Sequence, residues 1–247
     1  MDQQLKRDFI EKWRKYFNES ELPIAFFYSD NLAGAEKVAE AKGRSCLICE
    51  LKKVREGKSV AYSGEAIACG GAKRYLGYSC SLFSNFNYFL SYGIEGKVEG
   101  ERYKKSPELV QEFQDQTVQI DAAGKYLVFK RWDNLTASDL PDACIFFANP
   151  DVLAGLFTLA NFDIPGRTGV ITPFGSGCSS IIHFPYLENQ SDDPKCVLGM
   201  FDPSARKCLP ANILTFAVPF KKMVTMVENM DESFLITPSW ENVRKRI

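Results

Sequence analysis

The pattern of hydrophobic and polar positions predicts a docking helix at the start of the chain and further helices at its end. Near the start, a large apolar residue recurs at every fourth position: Leu5, Phe9, Trp13 and Phe17. This stripe is typical of an amphipathic helix, here over residues 2–18, that packs on a larger body. Near the end, proline at a first helical turn predicts helices that begin at 219–220 and at 237–238.

Short apolar runs between these helices predict strands. The runs cover residues 23–29, 58–63, 125–132, 143–149, 168–172, 180–186, 196–201 and 213–218. Helices are predicted between them, over residues 31–43, 50–57, 106–123 and 149–161. This mixture predicts an α/β or α+β fold: a mixed sheet or sheets with flanking helices in one compact unit.

Two stretches resemble each other and predict an internal duplication. Each joins a Phe-Phe strand to a polar turn and then to Leu-Ala-Gly: residues 26–34 and residues 146–155. We therefore expect two diverged halves, 21–105 and 106–247, after a docking helix at 1–20. The polar, glycine-containing link at 93–105 supplies the boundary. The alternative is a chance repeat of common residues.

The composition restricts the partners and the compartment. The 247 residues carry a net charge of -1, which argues against nucleic acid as the main partner. The first residues contain no apolar signal core, and no apolar run reaches the length of a membrane span. We therefore expect a cytoplasmic protein that does not bind membranes, and a homo-oligomer remains an option.

Eight cysteines are many for a protein in a reducing compartment. Structural disulfides are not expected there, so metal binding, redox chemistry or simple burial must explain these cysteines. Cys144 and Cys196 lie in strand-like apolar runs and should act as small buried hydrophobic residues. Together with Cys208, they are predicted to be dispensable for function.

Cys69 lies at a Gly70-Gly71 turn ahead of a short helical segment. Glycine allows close approach of a ligand, and a following helix offers unpaired N–H groups that favour an anion or a thiolate. Lys73 and Arg74 are expected to favour the thiolate form of Cys69. A weaker copy, Gly-Ser-Gly, precedes Cys178. We predict cofactor contacts at Cys69, Gly70, Gly71 and Cys178, with Cys69 and Cys178 at corresponding places in the two halves.

Cysteine spacing makes a metal centre the leading functional hypothesis. The predicted ligands are Cys46, Cys49, Cys69 and Cys80, with the spacing C-x2-C-x19-C-x10-C. Thiolate sets suit both iron–sulfur clusters and zinc. A structural zinc site usually contains a second tight cysteine pair, so the iron–sulfur cluster ranks first and zinc second. Free buried thiols are the alternative to both.

Two other functions remain open. Cys69 or Cys178 could act as a nucleophile, for which His183, the single histidine, is the candidate base. Alternatively, a cleft between the halves could bind a small anionic metabolite without any metal. The chain contains neither G-x-G-x-x-G nor a P-loop, so a nucleotide is not indicated. Whether the protein is an enzyme is left undecided.

Several short motifs, in this order, resemble a known family. They are Cys49 followed by Val54-Arg55-Glu56-Gly57, then Cys69-Gly70-Gly71-Ala72, Tyr75-Leu76-Gly77, Cys178, Phe184-Pro185-Tyr186-Leu187, Leu198-Gly199, Arg206 and Phe216-Ala217-Val218-Pro219. Across residues 20–228 the chain resembles domain of unknown function 169, uncharacterised proteins of archaea and anaerobic bacteria. Cys69 and Cys178 match cysteines of that family. The resemblance implies an anaerobic lineage but no particular reaction. From the functional hypotheses above, we expect a small-molecule or redox partner.

Overall fold

The computed structural model describes all 247 residues, and at its centre is one mixed sheet of eight strands. The strands are β1 (Ile24–Ser29), β2 (Glu36–Lys37), β3 (Val60–Tyr62), β4 (Tyr126–Arg131), β5 (Ala143–Ala148), β6 (Val170–Ile171), β7 (Cys196–Gly199) and β8 (Leu214–Pro219). Their order across the sheet is β2-β3-β4-β1-β5-β8-β7-β6. With helices on both faces, this is an α/β fold, as the alternation of apolar runs predicted.

Eleven α-helices surround the sheet or connect its strands. They are α1 (Gln3–Phe17), α2 (Leu47–Glu50), α3 (Lys52–Arg55), α4 (Gly70–Tyr75), α5 (Phe86–Leu90), α6 (Pro107–Asp115), α7 (Pro150–Ala160), α8 (Phe184–Gln190), α9 (Pro203–Arg206), α10 (Phe220–Asn229) and α11 (Pro238–Arg244). A π-helical turn, Ser179–His183, precedes α8. None of the helices is both long and apolar enough to cross a membrane.

The two faces of the sheet bury separate hydrophobic clusters, because successive strand residues point to opposite sides. Ala25 and Phe27 of β1 pack with α1, α7, α10 and α11. Ile24 and Phe26 pack on the other side with α2, α3, α4, the π-helical turn and α9. On the first face, Phe9, Trp13 and Phe17 of α1 are buried in this cluster and Leu5 packs against it, so the amphipathic stripe docks α1 on the sheet. The candidate site lies on the second face.

Strand order and direction are the same in the two halves of the sheet. In each half the second and third strands form a parallel pair at the edge, and the fourth strand lies antiparallel between the third and the first. The first strands of the two halves, β1 and β5, meet antiparallel at the centre. This recurrence supports the duplication, which stays a prediction. Because β4 joins β1–β3, the first set of four strands ends at residue 131 and the second begins at residue 143. The half-domain boundary at residue 105 stays a prediction.

The register of the central strand pair, β1 and β5, agrees with the resemblance between the two Phe-Phe…Leu-Ala-Gly stretches. Within residues 24–34, six residues are identical to the residue 121 positions later: Ile24/Ile145, Phe26/Phe147, Asp30/Asp151, Leu32/Leu153, Ala33/Ala154 and Gly34/Gly155. In the ladder, Ile24 lies directly opposite Ile145, its own counterpart. An antiparallel pair has a local two-fold axis perpendicular to the sheet, so an approximate two-fold axis passes between these two isoleucines.

Two predicted elements are wrong. Residues 31–43, predicted as a helix, form turns and the short strand β2, and most of residues 36–45 are exposed, so no apolar stripe exists for a helix to bury. Residues 180–186, predicted as a strand, form the π-helical turn and the start of α8. Ile181, Ile182 and His183 are all buried, and a short run that is buried on all sides has no period that separates strand from helix.

A half-buried carboxyl, that of Asp142 just before β5, gives the fold a pH dependence. Burial raises the pKa of Asp142 to about 6, although the Tyr28 N–H donates to its carboxylate over 3.2 Å. In the unfolded chain its pKa is about 3.9. The folded state therefore binds the proton more tightly, so this contribution to stability is complete below pH 4 and is lost as the pH rises through 6.

We expect Asp142→Asn to raise the free energy of unfolding at pH 8 by about 1–2 kcal/mol and to leave it unchanged or lower at pH 4. Urea unfolding at both pH values measures this difference. The exposed Asp192→Asn serves as the control and should show no such pH dependence. The same change at pH 4 and pH 8 for Asp142→Asn would contradict the assignment.

Candidate functional site

Five of the eight cysteines gather on one face of the sheet. The connection between β2 and β3 carries Cys46 and Cys49, and the matching connection of the second half, between β6 and β7, carries Cys178. The connections from the third to the fourth strands carry Cys69 in the first half and Cys208 in the second. Each half therefore contributes cysteines from the same two connections.

This placement corrects one prediction. Cys69 and Cys178 were expected at corresponding places, but they lie on different connections: β3 to β4 for Cys69 and β6 to β7 for Cys178. By topology, Cys69 corresponds to Cys208, and Cys178 corresponds to the Cys46–Cys49 segment. The prediction relied on the glycines beside both cysteines. Glycine occurs wherever the backbone needs space, so it does not mark corresponding positions.

Three sulfur atoms form the tightest group. The Sγ atoms of Cys46, Cys49 and Cys208 all lie within 4.8 Å of one another, with Cys46 and Cys208 half-buried and Cys49 exposed. Thiolates are ligands for zinc and for iron–sulfur clusters, so this group could hold a metal ion. The sequence did not reveal Cys208, because it lies 159 residues from Cys49 and has no cysteine neighbour in the sequence.

Cys49 and Cys208 are joined by a disulfide, with Cα atoms 4.7 Å apart. The expectation that no disulfide forms is wrong for this pair. The reason is geometric: the fold brings α2 and the segment after α9 to a separation at which two cysteines can bridge. The other six cysteines are free. Two of the three clustered sulfurs are therefore in their oxidised form here.

A cavity of about 240 Å³ lies next to the sulfur group, and Cys46, Cys69 and Cys178 belong to its wall. Residues of α5, of α6 and of the segment between them form another part of its wall. Six aromatic side chains line it: Tyr75, Phe86, Phe89, Tyr103, Phe113 and Phe174. Connections from both sides of the sheet line this cavity, and its walls are mainly apolar; a cleft that binds an anionic metabolite stays a prediction.

Cys178 is the buried thiol of the cavity. Burial raises its pKa far above the usual value, and the nearby Cys46, Cys69 and Asp202 raise it further because their negative charges disfavour a thiolate. A protonated thiol is a poor nucleophile. The environment of Cys178 therefore argues against a free nucleophilic thiolate at this position, whereas a bound metal ion would displace the proton.

His183 has a structural environment. Its ring is buried, and Nε2 donates to the Val118 carbonyl oxygen over 2.8 Å, while Nδ1 has no partner. It packs against Tyr75 and Phe184, and burial lowers its pKa. It makes no hydrogen bond to a cysteine. The geometry gives no support to its predicted role as the base of Cys178.

The remaining predicted site residues lie around this centre. Gly70 and Gly71 are the first two residues of α4, with Cys69 as the N-cap, and Gly70 faces open space. Cys80 is exposed and lies outside the sulfur group, and its carbonyl accepts a hydrogen bond from Arg74. Cys144 and Cys196 are buried in β5 and β7 against the opposite face, as expected for small hydrophobic residues.

Asp202 holds the cavity walls together. Its carboxylate accepts hydrogen bonds from the Gly177 N–H at 3.0 Å, the Ser204 N–H at 2.9 Å and the Tyr103 hydroxyl at 3.1 Å. These donors belong to the turn before Cys178, to α9 and to the outer segment. Gly177 needs to lack a side chain, since a Cβ there would lie 2.9 Å from that of Ala205.

Comparison with known proteins agrees with the resemblance seen in the motifs. Residues 14–229 match domain of unknown function 169, whose description is "Uncharacterised ArCR". The match covers most of the chain, so the chain belongs to this family. No curated protein and no solved structure matches it.

Proposed function

We propose that this member of domain of unknown function 169 binds a thiolate-ligated metal centre, an iron–sulfur cluster in the first place and zinc in the second. The observation that supports this proposal is the grouping of Cys46, Cys49 and Cys208 within 4.8 Å. The proposed ligand set keeps the Cys-x-x-Cys pair and takes Cys208 in place of Cys69 and Cys80.

The chemistry of the group suits a soft metal. Three sulfur ligands from two separate connections leave one position for a fourth ligand. Cys46 belongs both to the group and to the cavity wall, where Cys69 and Cys178 also lie. These two thiols are the candidates for a fourth protein ligand. In its iron–sulfur form, the protein would exchange electrons with a redox partner.

The binding-competent form is the reduced one. Only thiolates bind the metal, so the Cys49–Cys208 bond must first be cleaved. Cleavage takes up two electrons and two protons, which a dithiol reagent supplies while it becomes a disulfide itself. Metal binding then releases the thiol protons and links the two halves of the chain through the ion.

The test is anaerobic reconstitution in dithiothreitol, with ferrous iron and sulfide in one set and zinc in another. We expect visible sulfur-to-iron absorption and bound iron in the wild-type protein, and at least a tenfold loss of bound metal in Cys208→Ser. Cys80→Ser is the matched control, because Cys80 is exposed and lies outside the group. Metal analysis per chain and absorption are measured together.

The outcomes separate the alternatives. Zinc without iron would make the centre a zinc site. Equal losses in Cys208→Ser and Cys80→Ser would contradict the ligand assignment. A reduced protein that binds neither iron nor zinc would refute the proposal as a whole.

A further inference from the structure

We propose that the cavity beside the cysteines is a separate binding site for a small aromatic carboxylate. The ring of this ligand would pack among the aromatic walls, and its carboxylate would lie on the Lys104 ammonium group. The proposal does not depend on a metal, because it rests on the aromatic side chains and Lys104, although Cys46 belongs to both the sulfur group and the cavity wall.

The walls determine the body of the ligand. Of the 22 residues that line the cavity, 13 are hydrophobic, so a strongly hydrated ligand would lose water without gaining enough new hydrogen bonds. The aromatic walls come from several elements: Tyr75 from α4, Phe86 and Phe89 from α5, Phe113 from α6, and Phe174 from the loop before Cys178. Flat rings favour offset or edge-to-face partners, which an aromatic ligand supplies.

Lys104 determines the charge of the ligand. Its Nζ lies 4.5 Å from the ring centroid of Phe174 and 4.9 Å from that of Phe113. The side chain is half-buried, and no carboxylate lies within 4.0 Å of it. The two rings hold the ammonium at the cavity wall, and a cation in this position lacks an anionic partner.

The acidic residues of the wall do not fill this role. The Asp202 carboxylate already accepts hydrogen bonds from Gly177, Ser204 and Tyr103. Glu101 is exposed, and its carboxylate is not within 4.0 Å of the Lys104 ammonium. The wall therefore carries two carboxylates and one cation, and the Lys104 ammonium on the aromatic rings is the one group there that can bind a carboxylate of the ligand.

The test is calorimetric titration of the reduced protein, in the presence of EDTA so that no metal contributes. The probes are benzoate, the neutral isostere benzamide, and acetate, which lacks the ring. We expect benzoate to bind at least tenfold more tightly than either of the other two. Lys104→Met should weaken benzoate binding at least tenfold and leave benzamide binding unchanged, because it removes the charge and keeps an apolar stem.

The neighbouring Lys105→Met is the matched control, since Lys105 is exposed and does not line the cavity, and it should bind benzoate like the wild type. Lys104→Arg keeps the charge and should keep most of the affinity. Equal binding of benzoate and benzamide by the wild type would overturn the proposal, whatever the variants do. Absence of benzoate binding, or wild-type affinity in a folded Lys104→Met, would overturn it too.

Discussion

Asp139→Ala is expected to lower the free energy of unfolding by about 3–5 kcal/mol, because it leaves a buried ammonium without its partner. The Nζ atom of Lys130 in β4 donates to both carboxylate oxygens of Asp139, at 3.0 and 2.8 Å. The two side chains are only 3% and 1% exposed. The Thr136 N–H, at 2.7 Å, satisfies the same carboxylate further. Urea unfolding measures the loss.

A double variant and a surface pair provide the controls for this prediction. Lys130→Met combined with Asp139→Ala removes both charges and should recover most of the stability, since the buried cation is then absent. Lys52 and Glu56 form an exposed pair at 3.8 Å, with side chains 77% and 63% exposed. Glu56→Ala should therefore cost less than about 0.5 kcal/mol. A loss no larger than this for Asp139→Ala would contradict the prediction.

The sequence predicted the sheet well wherever a strand is buried and bounded by turns. Strands β1, β4, β5 and β8 each span six residues, and their apolar runs were visible without any alignment. The edge strands β2 and β6 have only two residues each. β6 lies within the run 168–172 that was predicted as a strand, whereas Glu36 and Lys37 of β2 are both polar and exposed and give no apolar signal. Residues 36–37 were accordingly assigned to a helix.

The site was predictable only where it is local in sequence. The Cys46-x-x-Cys49 spacing pointed to one ion, and these two cysteines do lie together. Cys208 joins them only because the β7-to-β8 connection reaches the same face, which depends on strand order. The sequence also could not predict a role for Lys104. It belongs to a polar link in the sequence, whereas in the fold its ammonium group lies on two aromatic rings.

The approximate two-fold axis explains why a single site collects residues from both halves. The axis passes between Ile24 and Ile145, so equivalent connections of the two halves lie on the same face of the sheet and approach each other near its centre. The connections on the two sides of this axis differ in length. In the first half the connection from β3 to β4 spans residues 63–125, and in the second half the matching connection spans only 200–213. The longer connection supplies α5, α6 and Lys104, and with them the outer wall of the cavity.

Asp202→Ala is expected to lower the free energy of unfolding by about 2–3 kcal/mol and to open the cavity. The change removes the N-cap of α9, which is typically worth about 1 kcal/mol. It also removes the charged acceptor for Gly177 and Tyr103, and each such hydrogen bond contributes about 1.5–3 kcal/mol when fully buried, less at this half-buried position. Urea unfolding measures the stability.

Alkylation of Cys178 by iodoacetamide, followed by mass spectrometry, measures the opening. The Cys178 thiol is buried in the wild type and should react slowly, whereas the turn that carries it loses its hydrogen bond to α9 in Asp202→Ala. Asp2→Ala is the matched control. Asp2 caps α1 through the Gln4 N–H at 2.7 Å and lies far from the cysteines in the fold, so its loss should cost about 1 kcal/mol and leave Cys178 protected. If Asp202→Ala costs no more than Asp2→Ala and Cys178 stays unreactive, Asp202 does not hold the cavity walls together.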